Sequence, residues 1–155
     1  NGIAQLKQKG LQQMHLFFPI AIVLTLTAPL LFKYVFSEAF YESGKLFSFT
    51  MLLTIPRLLF PQPILHAKGA QQWITIALFC EISVLILFSF IGFHFFGLYG
   101  LVLAIVISFL VEKLVLIVTL QYKFNIPLSD YLSKHWFLFY SVILLCSFLL
   151  TFIFY

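Results

Sequence analysis

Charged residues are scarce in this chain. Asp, Glu, Lys and Arg together make up 9% of its 155 residues, whereas 63% of the residues are hydrophobic. Soluble domains carry about 25% charged residues. The mean hydropathy of +1.09 also indicates a predominantly apolar sequence. This composition excludes an ordinary soluble globular domain and indicates a protein built for lipid.

Residue patterns of known catalytic or metal chemistry are also missing. The sequence has two cysteines, Cys80 and Cys146, which lie in apolar runs without metal-ligand spacing. It has no glycine-rich phosphate loop and no serine in a nucleophile-elbow context. Each histidine falls near a predicted membrane edge, where interfacial packing explains it better than metal ligation; these are His15, His66, His94 and His135. We therefore predict no enzyme activity, no cofactor and no metal site.

Long apolar segments fill most of the chain. They cover residues 16–36, 46–65, 73–95, 98–120 and 136–155. Each reaches about 20 residues, which is what a helix needs to cross about 30 Å of hydrocarbon. The sequence thus predicts an all-α, polytopic transmembrane helix bundle of about five spans. Residues 1–15 are predicted as a cytoplasmic loop, 16–123 as a four-span segment, and 124–155 as a loop followed by an additional transmembrane helix.

The ends of the sequence have unusual features for a complete membrane protein. It begins with Asn1 instead of methionine, and it closes on Tyr155 at the end of an apolar run. We therefore expect the chain to be a piece of a longer protein.

The basic residues fall mainly at one end of the predicted spans. The connections at that end contain Lys7, Lys9, Lys68, Lys123 and Lys134. The opposite end has Lys33 and Lys45, offset by Glu38 and Glu42. Because short cytoplasmic loops are enriched in Lys and Arg, we expect a cytoplasmic N-terminus and a multi-pass protein of the inner (cytoplasmic) membrane.

The net charge of +4 does not indicate a nucleic-acid partner. The basic residues are scattered over short loops instead of gathering on one face. Membrane lipid is the partner that this distribution predicts.

Ionisable residues inside the spans are the best candidates for a site, because charge is costly in hydrocarbon. Arg57 follows Pro56 near the centre of the second span, and Glu81 is expected at a matching depth in the third. Arg57 and Glu81 could form a mutual salt bridge, and Arg57 could face a hydrated cavity and attract an anionic group such as phosphate; these two interpretations are compatible. A third interpretation is that Glu81 takes up and releases protons during transport.

A second pair of charges, Glu112 and Lys113, lies in the fourth span. Neighbouring residues on a helix point about 100° apart. We therefore expect Glu112 to turn inward while the Lys113 side chain extends toward the cytoplasmic headgroups.

Small residues and prolines predict how the helices pack. Gly100, Ala104 and Ser108 recur at four-residue intervals and would let another helix approach closely. Prolines kink or interrupt the first two spans, which requires neighbours or water to satisfy the freed carbonyls. They are Pro19, Pro29, Pro56, Pro61 and Pro63. Broken helices of this kind are typical of transporters.

Several of these signals occur in a characteristic order. Pro19 opens a span after a cytoplasmic segment, residues 36–41 (FSEAFY) form a turn, and residues 67–69 (AKG) close the next span. Residues 97–100 (GLYG) then introduce a small-residue helix that ends in Ile and Ser at 107–108. In this order and spacing, residues 11–123 resemble the C-terminal lobe of polysaccharide and lipid-linked oligosaccharide flippases. Their superfamily also includes multidrug and toxic-compound exporters.

This resemblance implies a function. Such a flippase translocates a polyprenyl-pyrophosphate sugar to the outer leaflet for cell-envelope polysaccharide assembly, such as that of lipopolysaccharide O-antigen. Two lobes rock around a central cavity, so the resemblance implies a missing N-terminal lobe of the same transporter. Arg57 would meet the pyrophosphate or an acidic sugar, and Glu81 or Glu112 would hold the substrate or respond to protons or cations.

Three other functions remain open from the sequence. One is a cation-coupled, multidrug-type exporter of the same superfamily. Another is a fragment of a membrane-embedded glycosyltransferase or ligase, which should have long extracytoplasmic loops. The last is a non-transporting membrane subunit, in which Arg57 and Glu81 would be buried against each other.

Overall fold

The computed structural model describes residues 2–154, and within this range all regular structure is helical. The helices are α1 (Gly2–Val35), α2 (Tyr41–Thr50), α3 (Thr54–Arg57), α4 (Pro61–Ala67), α5 (Gln71–Phe96), α6 (Leu98–Phe124), α7 (Leu128–Tyr131) and α8 (Lys134–Phe154). Short 3-10 turns cover Glu38–Phe40 and Met51–Leu53. The all-α class predicted from the sequence is confirmed.

Four of these helices, α1, α5, α6 and α8, are long and apolar enough to cross a membrane. The ends of α5, α6 and α8 lie within a few residues of the predicted third, fourth and fifth spans, and the predicted first span lies inside α1 except for its last residue, Phe36. The chain therefore has the architecture of a multi-pass membrane protein.

The predicted second span is not one continuous helix. Residues 46–65 instead run through α2, a 3-10 turn, α3 and α4. Proline lacks the N–H that an α-helix needs and disfavours helical geometry at the residue before it, so the helical run ends before Pro61, where Phe60 has φ −113° and ψ 52°. Helix α4 then begins at Pro61, where a proline is well tolerated. We call residues 41–67 the broken segment.

The expectation that residues 1–15 form a loop is wrong as to secondary structure, since residues 2–15 are the first turns of α1. Gly10, Met14 and Phe18 are buried at four-residue intervals on one face of this helix. The Lys7 ammonium also donates a hydrogen bond of 2.6 Å to the Ser129 carbonyl in α7. Lys and Gln are good helix formers, so packing and propensity agree.

Helices α5 and α6 form a tight antiparallel hairpin. Gly97 joins them with φ 58° and ψ −134°, a conformation that residues with a Cβ rarely adopt. Near the turn the two backbones meet at Gly92 and Gly100, and a Cβ added at Gly92 would lie 2.6 Å from the Gly100 carbonyl oxygen. Gly100, Ala104 and Ser108 are all buried. The small-residue stripe is therefore a packing surface, as predicted.

Neighbouring helices satisfy the carbonyl that Pro29 frees within helix α1. Pro29 cannot donate to the Thr25 carbonyl one turn earlier. That oxygen instead accepts the Ser48 hydroxyl of α2 at 2.9 Å and the Thr151 hydroxyl of α8 at 3.2 Å. Gly44 permits the approach of α2, since a Cβ there would lie 2.7 Å from the Pro29 Cα. The prediction that neighbours satisfy freed carbonyls is confirmed at Pro29.

Candidate functional site

The in-span charges predicted from the sequence line one cavity. It lies between the broken segment, α5 and α6, and has a volume of about 440 Å³. Its polar lining consists of Arg57, Gln62, Glu81, Glu112 and Lys113. We call it the charged cavity. Its volume is within the range of about 300 to 1,000 Å³ that is usual for ligand sites.

Arg57, the last residue of α3, has an exposed side chain. Its guanidinium lies 5.6 Å from the centre of the Phe109 ring, in cation–π geometry. Within residues 2–154, the ion pairs are Lys33–Glu38, Lys45–Glu42 and Lys113–Glu112, so Arg57 and Glu81 are not joined. The salt bridge between Arg57 and Glu81 that the sequence allowed is therefore not formed.

Glu112 and Lys113 form a buried ion pair, with 2.8 Å between Oε2 and Nζ. Their side chains are only 2% and 7% exposed. The expectation that Lys113 extends to the headgroups is therefore wrong. Pairing compensates both charges inside the bundle, so the lysine does not need to reach water.

Gln62 of α4 completes this cluster, and the sequence analysis missed it. Its Nε2 donates a hydrogen bond of 2.5 Å to Glu112 Oε1. Both Glu112 oxygens are therefore partnered, which ties α4 to α6. The signal for Gln62 was present in the sequence, since it is an amide between Pro61 and Pro63 within an apolar segment.

Glu81 of α5 is half-buried on another wall of the charged cavity. Among the described residues it makes no ion pair. The Glu112–Lys113 pair is internally neutral, so Arg57 and Glu81 supply the uncompensated charges of the cavity. Such a cavity can bind an anionic group at Arg57 and a proton or cation at Glu81.

A second cavity of about 420 Å³ lies between α1 and the broken segment. Its lining is mostly apolar, and we call it the apolar groove. Arg57 and Phe60 line both the groove and the charged cavity. The two spaces are therefore neighbours on either side of these residues.

A scan against protein-family models and searches of curated proteins and solved structures found no match to the chain. Its function has to be argued from the residues themselves.

One histidine packs as expected of an interfacial aromatic residue. The ring of His15 lies 5.0 Å from that of Trp136, and its Nδ1 is 2.7 Å from the Tyr140 hydroxyl. In the described part of the chain, no group of three or more His, Cys, Asp or Glu side chains is placed to hold a metal ion.

Proposed function

We propose that the chain belongs to a transporter that moves a lipid-linked oligosaccharide, a sugar on polyprenyl pyrophosphate, across the cytoplasmic membrane. Translocation to the outer leaflet would serve the assembly of cell-envelope polysaccharide. This proposal depends on one observation: Arg57 lines the charged cavity and has no carboxylate partner among residues 2–154.

The chemistry of arginine supports a phosphate ligand. A charged group within a membrane-spanning region is costly and usually faces a bundle interior or an aqueous cavity. The planar guanidinium offers several N–H donors in a fork that matches two phosphate oxygens. The Arg57 guanidinium lies 5.6 Å from the centre of the Phe109 ring and donates no side-chain hydrogen bond to another described residue, so its N–H groups are available to a ligand.

The remaining polar residues support a site with a defined shape. Gln62 and Lys113 occupy both oxygens of Glu112, so this carboxylate has a structural part in our proposal. Glu81 would then respond to protons or cations during the transport cycle. The broken segment carries Arg57 between helical pieces, an arrangement that transporters use near the bilayer midplane.

Alternating access requires a second set of helices facing the charged cavity. We propose that the chain provides one lobe and that the N-terminal lobe of the same transporter provides the other. The proposed orientation has the N-terminus of the chain in the cytoplasm, because the lysine-rich end of the bundle would then face inward.

A cation-coupled exporter of small molecules is the second candidate function. It is favoured by Glu81, an unpaired carboxylate, together with the aromatic rings of Phe60 and Phe109 in the same cavity. These groups would suit a cationic, partly apolar substrate. In that case Glu81, and not Arg57, would control substrate binding.

Export of lipid-linked sugar by Arg57 variants tests the proposal. In the intact transporter in its host membrane, Arg57→Ala should lower export by about 10- to 100-fold, the effect of losing a charged hydrogen bond of roughly 1.5 to 3 kcal/mol. Arg57→Lys should restore part of it, because the charge returns without the fork.

The matched control is Lys33→Ala, which removes a cation that pairs with Glu38 at the surface of the bundle. This variant should export normally. Membrane protein levels are compared by quantitative blotting. If both Arg57 variants export at the wild-type rate, the proposed substrate role of Arg57 is wrong. Loss of export of a cationic drug in Glu81→Gln, with sugar export unchanged in Arg57→Ala, would favour the second candidate.

A further inference from the structure

The apolar groove runs along one stripe of α1. Gln13, Phe17, Ile20 and Leu24 line it and recur at intervals of three or four residues, so they share one helix face. At about 1.5 Å per residue, the stripe is about 16 Å long. That is roughly half of the 30 Å hydrocarbon core of a bilayer. The groove therefore has the length of one membrane leaflet.

The groove is open on its outer side. Phe17 and Ile20 are each 47% exposed. Its opposite wall comes from the broken segment, with Met51, Thr54 and Leu58 among the lining residues. An apolar channel of this shape, open along α1, suits a flexible hydrocarbon chain that enters from the side.

Arg57 is the one charged residue in the described lining of the groove. Arg57 and Phe60 also line the charged cavity, so a molecule held at Arg57 has further charged side chains on one side and mainly apolar side chains on the other. A ligand that fits both spaces is an amphiphile, with an anionic head and a hydrocarbon tail. Free phosphate or a free sugar would leave the groove unused.

We propose that the apolar groove holds the hydrocarbon chain of the same lipid whose phosphate Arg57 binds. This inference rests on the proposed function and specifies where its lipid lies. In this arrangement the head enters the charged cavity between the broken segment, α5 and α6. The chain stays between α1 and the broken segment and remains in contact with the bilayer.

Photo-crosslinking tests the inference. The intact protein is placed in phosphatidylcholine nanodiscs with a polyprenyl diphosphate that carries a diazirine in its hydrocarbon chain, and labelled residues are mapped by mass spectrometry. We expect labels at Phe17, Ile20 and Leu24. The neutral prenol of the same length should label these positions about tenfold less, since it lacks the group that Arg57 binds.

Two variants separate the head from the tail. Arg57→Gln removes the guanidinium that binds the phosphate, so it should lower groove labelling about tenfold. Ile20→Trp fills the groove while keeping Arg57, and it should lower labelling to a similar extent. The matched control is Ile86→Trp on α5, at a side chain that is 55% exposed and lines neither space. Its labelling should equal that of the wild type.

Several results would overturn the inference. One is a wild-type labelling map without Phe17, Ile20 or Leu24, as expected if another helix of the protein fills the groove. Others are equal labelling by the prenol and the diphosphate, or equally strong competition by inorganic diphosphate and by unlabelled polyprenyl diphosphate. The wild-type map does not depend on the folding of any variant.

The crosslinking and export experiments together separate a failure of the groove inference from a failure of the proposed function. Groove labelling that depends on Arg57, without export of lipid-linked sugar, would contradict the proposed function and leave the lipid site standing. Export that depends on Arg57 but is unchanged in Ile20→Trp, with no groove labelling, would contradict the groove assignment alone.

Discussion

At the scale of single residues, the charges of the cavity divide into two kinds. Glu112 and Lys113 are buried and neutralise each other, and Gln62 occupies the remaining Glu112 oxygen. Arg57 and Glu81 have no such compensation among the described residues. The buried pair therefore stabilises the wall of the cavity, and the other two side chains are available to a ligand.

The buried pair gives a stability prediction. Lys113→Met should lower the free energy of unfolding by about 3 to 5 kcal/mol, because it leaves the Glu112 carboxylate buried without a counter-charge. The double variant Glu112→Gln/Lys113→Met should recover most of this loss, since both charges are then gone. Unfolding of the purified protein in bilayers, measured as a double-mutant cycle, provides the coupling energy.

The control for this cycle is Lys45→Met. Lys45 pairs with Glu42 at 3.1 Å, but the Glu42 side chain is 66% exposed. Lys45→Met should therefore lower the free energy of unfolding by less than about 1 kcal/mol. Equal losses for Lys113→Met and Lys45→Met would contradict a stabilising role for the buried pair.

The sequence predicted the charged residues of the cavity better than their partners. Arg57, Glu81 and Glu112 stand out because ionised side chains are rare in apolar runs. Their pairing depends on contacts between helices that are distant along the chain. Gln62 and Glu112 are 50 residues apart, so no local pattern connects them. The orientation of Lys113 was predicted from helix geometry alone, which omits the desolvated carboxylate beside it.

At the scale of helices, the prolines have two different effects. Pro19 and Pro29 lie within the continuous helix α1, whereas Pro56, Pro61 and Pro63 lie where the second span is broken. At Pro29, two hydroxyl donors from α2 and α8 satisfy the freed Thr25 carbonyl. The sequence predicted both kinks and interruptions but could not separate them, because these donors are supplied by tertiary contacts.

This account predicts that the hydroxyl of Ser48 matters only while Pro29 is present. Ser48→Ala should cost about 0.5 to 1.5 kcal/mol of unfolding free energy, since the buried Thr25 carbonyl loses one of its donors. In a Pro29→Ala background the helix regains its own N–H donor, so the same substitution should cost measurably less. A double-mutant cycle followed by thermal unfolding in detergent micelles measures this difference.

The matched control is Ser83→Ala. The Ser83 hydroxyl donates to the Phe79 carbonyl of its own helix at an exposed site. Its removal should have almost no effect in either background. A cost for Ser48→Ala that is the same in the wild type and in the Pro29→Ala background would contradict the proposed capping of the Thr25 carbonyl.

At the scale of the whole molecule, the two ends of the bundle differ in charge. At one end the acidic residues are paired, since Glu38 binds Lys33 at 3.0 Å and Glu42 binds Lys45 and the Tyr99 hydroxyl. The other end brings together the start of α1, the end of α6 and the start of α5. There Lys7 contacts the Ser129 carbonyl, and Lys123 lies 4.4 Å from the centre of the Trp73 ring. That end is rich in lysine.

This asymmetry gives a topology prediction. In a background of Cys80→Ala and Cys146→Ala, single cysteines replace Lys68 and Lys123 at the lysine-rich end, and Ser43 and His94 at the other. A membrane-impermeant maleimide on intact cells should label Ser43→Cys and His94→Cys only, because the proposed orientation places the lysine-rich end in the cytoplasm. Lys68→Cys and Lys123→Cys should react only after permeabilisation.

The converse pattern would reverse the proposed orientation, and with it the direction from which the lipid head reaches Arg57. Labelling of all four positions on intact cells would show that the α5–α6 hairpin, about 40 Å long at 1.5 Å per residue, does not cross the membrane.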